Sequence, residues 1–213
     1  QTIVDKVAIR YGFSHKFKYT FENAEQAIEL MSKPPGAIFM GAHIGSWEVG
    51  SHIFSKYDKT MNILMVDAEY QRIKNVIEKS GENPGYKIIP INEDSIEAIL
   101  RVKKALADGE ILGIQGDRYI DEKRKREVEF LGRKADFPEG PFLMASKLRT
   151  PVVIYFAMRE KMSYNFIFKY VDNKEGLSAK DYQEKIFNEY LKLLEETVKR
   201  YPQQWFNFYS FWK

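Results

Sequence analysis

Short apolar runs of strand length alternate along this chain with longer segments whose apolar residues recur at helical spacing. GAIFMGA (Gly36–Ala42), MNILMV (Met61–Val66), YKIIPI (Tyr86–Ile91) and EILGIQGD (Glu110–Asp117) predict four buried strands. Between them, AEQAIELMSK (Ala24–Lys33) predicts a helix stopped by Pro34 and Pro35. GSWEVGSHIFSKY (Gly45–Tyr57) predicts a helix with Trp47, Val49, Ile53 and Phe54 on its apolar face. AEYQRIKNVIEKSG (Ala68–Gly81) and DSIEAILRVKKALADG (Asp94–Gly109) predict helices that each stop at a glycine.

The second half reads differently. REVEFLGRKADF alternates like a hairpin, and GPFLMASKL (Gly140–Leu148) predicts a short helix. TPVVIYFAMRE (Thr150–Glu160) and SYNFIFKYV (Ser163–Val171) predict adjacent strands joined by a tight polar turn. The longest helix is predicted over Ala179–Tyr201, followed by an irregular aromatic tail, PQQWFNFYSFWK. The expectation is one α/β domain over residues 1–213, with a central mixed, largely parallel sheet flanked by helices.

Composition narrows the chemistry. The 213 residues carry a formal charge of +3, which implies no nucleic-acid partner. There is no cysteine, which excludes disulfides, a thiolate nucleophile and cysteine-based metal sites. No apolar stretch is long enough to span a bilayer, and no signal-peptide core opens the chain. The chain begins on Gln1 rather than Met, as a trimmed chain or a piece of a longer protein would.

One of only three histidines, His43, stands just past the first buried strand in GAHIGSWEVG. In open α/β sheets, sites form beyond the carboxyl ends of strands. Glu48 follows five residues later, in the first turns of the next helix. A carboxylate on one imidazole nitrogen leaves the other free to accept a proton. With no serine or cysteine nucleophile in the stretch, such a pair suits deprotonating a substrate hydroxyl. The structural alternatives are a hydrogen-bonding histidine and a glutamate drawn to a helix N-terminus. His15 and His52 carry no comparable pattern.

The stretch GAHIGSWEVG resembles the histidine, four residues, acid motif of the lysophospholipid acyltransferase-like superfamily. Its closest likeness is to the bacterial lipid A biosynthesis acyltransferases, whose usual His-x-Gly-Asn-Trp-Glu has Ser46 in place of Asn here. Three further blocks resemble that branch in order: GIQGDR (Gly113–Arg118), Val128–Arg159, and YPQQWFNFYSFWK (Tyr201–Lys213). FPEG (Phe137–Gly140) also resembles the glycerophosphate acyltransferases, but Pro141 stands where those have Thr. The family's usual N-terminal membrane helix is not found in these residues, as in a trimmed chain, a peripheral variant or a fusion.

The resemblance implies a glycerolipid acyltransferase-like fold and a specific reaction. A fatty acyl group passes from an acyl carrier protein or coenzyme A thioester to a hydroxyl of a lipid or glycolipid, such as a lipid A precursor. His43 would be the base and Glu48 its orienter. Arg118, Arg159, Asp117, Gly45, Gly140 and Glu139 would bind substrate, with backbone amides near Gly45 or Gly116 as oxyanion donors. Neither a metal nor a further cofactor is required, because thiolate leaves readily. The implied location is peripheral, on the cytoplasmic face of the bacterial inner membrane. The basic run Lys123–Arg126 is either a solvated loop or an attraction to anionic lipid or acidic carrier protein. About half of the tail's aromatic residues are expected to close the core, the alternative being insertion into the membrane interface. The competing readings are a non-catalytic lipid- or carrier-binding module of the same fold, a glycerophospholipid acyltransferase and, more weakly, a hydrolase.

Overall fold

The computed structural model describes residues 16–32, 36–47, 49–50, 59–80, 86–92, 96–119, 124–208 and 210–213. Nine strands are found among them: β1 (Lys18–Glu22), β2 (Ala37–Gly41), β3 (Met61–Val66), β4 (Lys87–Ile91), β5 (Ile111–Gln115), β6 (Lys125–Phe130), β7 (Arg133–Pro138), β8 (Val152–Glu160) and β9 (Ser163–Val171). The helices are α1 (Glu25–Ser32), α2 (Asp67–Ser80), α3 (Ile96–Ala107), α4 (Gly140–Leu148) and α5 (Ala179–Arg200).

Seven strands form one sheet in the order β1-β9-β8-β2-β5-β3-β4. Every neighbouring pair is parallel except β8 with β9. The sheet is therefore mixed and mostly parallel, as the alternation of runs predicts. β2 and β5 carry almost nothing but buried residues, because helices cover both faces of the sheet's centre.

The two faces are legible in the period of two along β2 and β8. Ile38, Met40, Ile154 and Phe156 pack on one side with Tyr182, Ile186, Tyr190 and Leu194 of α5. Ala37, Phe39, Val153 and Tyr155 pack on the other with Ala27 and Met31 of α1. Trp47 and Val49 join this second cluster, while Ile53 and Phe54 lie outside the described residues.

β1 is an element the apolar pattern does not announce. KYTFE is an edge strand that pairs with β9, and none of its residues is buried. Its order rests on backbone pairing and cross-strand rings, such as Phe21 stacked on Phe166 at 5.4 Å.

The tail is more ordered than its composition suggests. A short turn at Pro202–Gln204 leads to isolated bridges, Ile44 with Trp205 and Ala135 with Trp212. Trp205, Phe211 and Trp212 pack on Phe130 of the β6–β7 hairpin at 5.7–6.0 Å. Phe208 is 87% exposed, and Tyr209 lies outside the described residues. Within the basic run, Lys125 pairs with Asp136 and Arg126 with Glu184, so both are tied to the fold; Lys123 lies outside the described residues. No helix among the described residues is long and apolar enough to cross a membrane.

Candidate active site

β2 and β5 lie side by side, with Gly41 opposite Gln115. Continuing that parallel register two residues past each strand brings His43 opposite Asp117. The contact is made: His43 Nδ1 lies 2.8 Å from Asp117 Oδ1, and the His43 backbone N–H donates to Asp117 Oδ2 at 2.9 Å. One carboxylate thus fixes both the ring and the backbone of the histidine. An ionised carboxylate only accepts, so in the neutral imidazole Nδ1 carries the proton and Nε2 keeps its lone pair. The Asp117 side chain is 4% exposed and that of His43 27%, so the acid is buried while the imidazole reaches solvent.

The strand ends are buttressed from α5. Tyr190 donates its hydroxyl to the Gly41 carbonyl at 3.0 Å. Its ring lies where a Cβ on Gly116 would sit, 2.9 Å from the nearest ring carbon. Glycine at 116 therefore lets α5 approach the ends of β2 and β5 closely.

The turn after His43 is held by the tail and by β8. Phe206 N–H donates to the His43 carbonyl at 2.8 Å, Gly45 N–H to the Gln204 carbonyl at 2.8 Å, and Ser46 N–H to the Ala157 carbonyl at 2.9 Å. The Gln204 side chain grips Arg159 twice, accepting from its N–H at 2.8 Å and donating to its carbonyl at 2.9 Å. The Gly45 amide is committed to Gln204 and the Gly116 amide to the Gly41 carbonyl.

Both arginines of the expected set meet the tail. Arg118 donates to the Phe206 carbonyl at 2.7 Å. The Arg159 guanidinium lies over Phe17 and Tyr164, 4.7 and 5.3 Å from the ring centroids, and donates to the Lys161 carbonyl. Arg159 also lines a cleft of about 600 Å³ with Gly45, Ser46, Arg200, Gln204 and Phe206 among its walls. His43 is not itself a wall of the cleft; its turn is. At the rim Arg200 pairs with Glu22 at 2.9 Å. The Asn165 amide, with Arg200, holds Glu22 below the usual carboxylate range despite partial burial.

The remaining expected residues stand elsewhere. Glu139 and Gly140 open α4 after the hairpin, where Glu139 N–H donates to the Arg124 carbonyl and the Glu139 carbonyl accepts from Leu143 N–H. Glu48 lies outside the described residues. No group of three or more metal-ligating side chains is found among the described residues. Gln204 and Tyr190 stand outside the site residues that the sequence motifs single out. Gln204 had a signal in the Pro-x-Gln of the tail, whereas Tyr190 is one aromatic among several on α5.

The family model for bacterial lipid A biosynthesis acyltransferase matches residues 5–213, nearly the whole chain. No curated protein matches the chain.

Proposed function

The chain belongs to the bacterial lipid A biosynthesis acyltransferase family, and is thus an acyltransferase that acts on lipid; from that premise we propose a thioester-dependent O-acyltransferase with His43 as general base. The observation that carries this reading is the 2.8 Å contact between His43 Nδ1 and buried Asp117. It supports a tautomer whose Nε2 is free to take a proton, on a ring that substrate can reach.

The acceptor is a hydroxyl of a lipid A precursor-like glycolipid. His43 Nε2 removes the hydroxyl proton as that oxygen attacks the thioester carbonyl. The carbonyl electron pair moves onto oxygen, then returns and expels the thiolate, which takes the proton back from His43. Asp117 stabilises the imidazolium formed between the two steps. From the motif, Glu48 is a second acidic group serving the same histidine. The donor is an acyl carrier protein or coenzyme A thioester, and Arg159 in the cleft is the candidate contact for its phosphate. The enzyme works as a peripheral protein on the cytoplasmic face of the inner membrane, where such a lipid is met.

The test is acyl transfer from lauroyl, myristoyl and palmitoyl thioesters of both carriers to a lipid A precursor, followed by mass spectrometry of the lipid. His43→Ala is expected to abolish transfer with the fold retained. Asp117→Asn is nearly isosteric, but its amide donates to Nδ1 and moves the ring proton to Nε2. It is expected to lower kcat by about 10²–10⁴-fold. Unchanged turnover in both variants overturns the reading.

A further inference from the structure

Among the described residues, three buried side-chain polar atoms have no hydrogen-bond partner: Ser46 Oγ, Gln115 Oε1 and Asn207 Oδ1. All three cling to the site in sequence. Ser46 is three residues after His43, Gln115 two before Asp117, and Asn207 next to Phe206. Leaving a buried polar group unpaired costs roughly 1–3 kcal/mol, so proteins rarely keep such groups without a use. Of the three residues, Ser46 lines the cleft beside the histidine turn, where an unpaired buried hydroxyl points to a ligand.

Of the three unpaired atoms, Ser46 Oγ is a hydroxyl oxygen and so carries a proton to give. Ser46 is 3% exposed and forms part of the cleft wall. Its position relative to the imidazole is fixed, because its N–H is tied to the Ala157 carbonyl and the His43 carbonyl to Phe206 N–H. The amides of Gly45 and Gly116 are spent on other carbonyls, so the charge that develops on the thioester oxygen needs another donor.

We propose that the Ser46 hydroxyl is that donor, a catalytic residue that hydrogen-bonds the oxyanion of the tetrahedral intermediate. It rests on the reading of His43 as the base of a thioester-dependent transfer. No electron or proton is exchanged by Ser46. Its O–H turns toward the oxygen as the carbonyl π pair moves there, and is released when that pair returns and the thiolate leaves.

The test measures thiol release and lipid acylation with the same lauroyl, myristoyl and palmitoyl thioesters and a lipid A precursor, using wild type, His43→Ala, Ser46→Ala and Ser46→Cys. Ser46→Ala is expected to lower kcat by about 10²-fold with KM nearly unchanged, as removal of one oxyanion donor does. Its melting temperature is expected to hold or rise, since an unpaired buried hydroxyl has been removed. Ser46→Cys keeps a weaker donor and should fall between the two. Unchanged kcat in Ser46→Ala, or a loss of kcat matched by a loss of melting temperature, overturns the proposal alone when wild type is active and His43→Ala is dead. Absent wild-type turnover, or turnover that survives His43→Ala, overturns the base reading and this inference with it.

Discussion

Gly45 shows how one residue without a side chain holds a reactive one in place. Its φ is +62°, and a Cβ there would lie 2.2 Å from the Ala157 carbonyl oxygen. That same oxygen accepts from Ser46 N–H, so the turn cannot back away without losing the bond. Gly132 provides the contrast, with φ +76° in the β6–β7 turn and nothing within 4 Å of a built Cβ. Gly132→Ala should cost only the left-handed penalty of roughly 1–2 kcal/mol. Gly45→Ala should cost more, because backbone must also move. Thermal unfolding of the two variants checks the difference, which at this chain length is roughly 2–4 °C for each kcal/mol. Gly45→Ala should also lose acyl transfer, and Gly132→Ala should not. The glycine is visible in the sequence; its reason is not, since Ala157 stands on a strand more than a hundred residues away.

At the scale of elements, the tail is a strap running from the histidine turn to the β6–β7 hairpin. Near the histidine, Gln204 replaces a missing strand neighbour for Arg159 by pairing with both of its backbone groups. Gln204→Ala leaves a partly buried N–H and C=O unpaired, at a cost of roughly 1–3 kcal/mol. A lower melting temperature with a reduced kcat is the expected result, read by unfolding and by turnover. At the other end Asp136, buried, meets Lys125 and Lys213 at 2.9 Å each. Burial pushes its carboxyl up, but the two ammonium groups together outweigh it and hold it below the usual range. A depressed folded-state pKa gives stability that is complete above the unfolded value of about 3.9 and lost as pH falls through the folded one. Asp136→Asn should therefore melt lower at neutral pH and show a flatter decline below about pH 4, measured by thermal unfolding across pH. The pairing of tail and hairpin is not readable from either segment, because each supplies only scattered aromatic and charged residues until they meet.

At the scale of the whole molecule, the site exists because crossovers reorder the strands. β3 and β4 follow β2 in sequence, yet β5 returns to lie beside β2. A variant that keeps every local element but unseats β5 from β2 should lose transfer while retaining helix content. Gly116→Val is such a test, because it drives a branched side chain into the Tyr190 ring. Circular dichroism and turnover read the two effects separately. The sequence alone determined the strands and helices of the core, since period-two and period-3.6 burial write themselves into side-chain choice. It also determined that His43 stands at a strand's carboxyl end, and the ordered motifs that mark the family. It did not reveal β1, whose order comes from backbone pairing that leaves no apolar run. Only the tertiary structure decided which described carboxylate meets His43 and which amides near it are spent. Glu48 is five residues away and within the reach of local reasoning, but Asp117 is 74 residues away. Proximity across a parallel sheet is set by strand order and register, and these are properties of the folded chain rather than of any stretch of it.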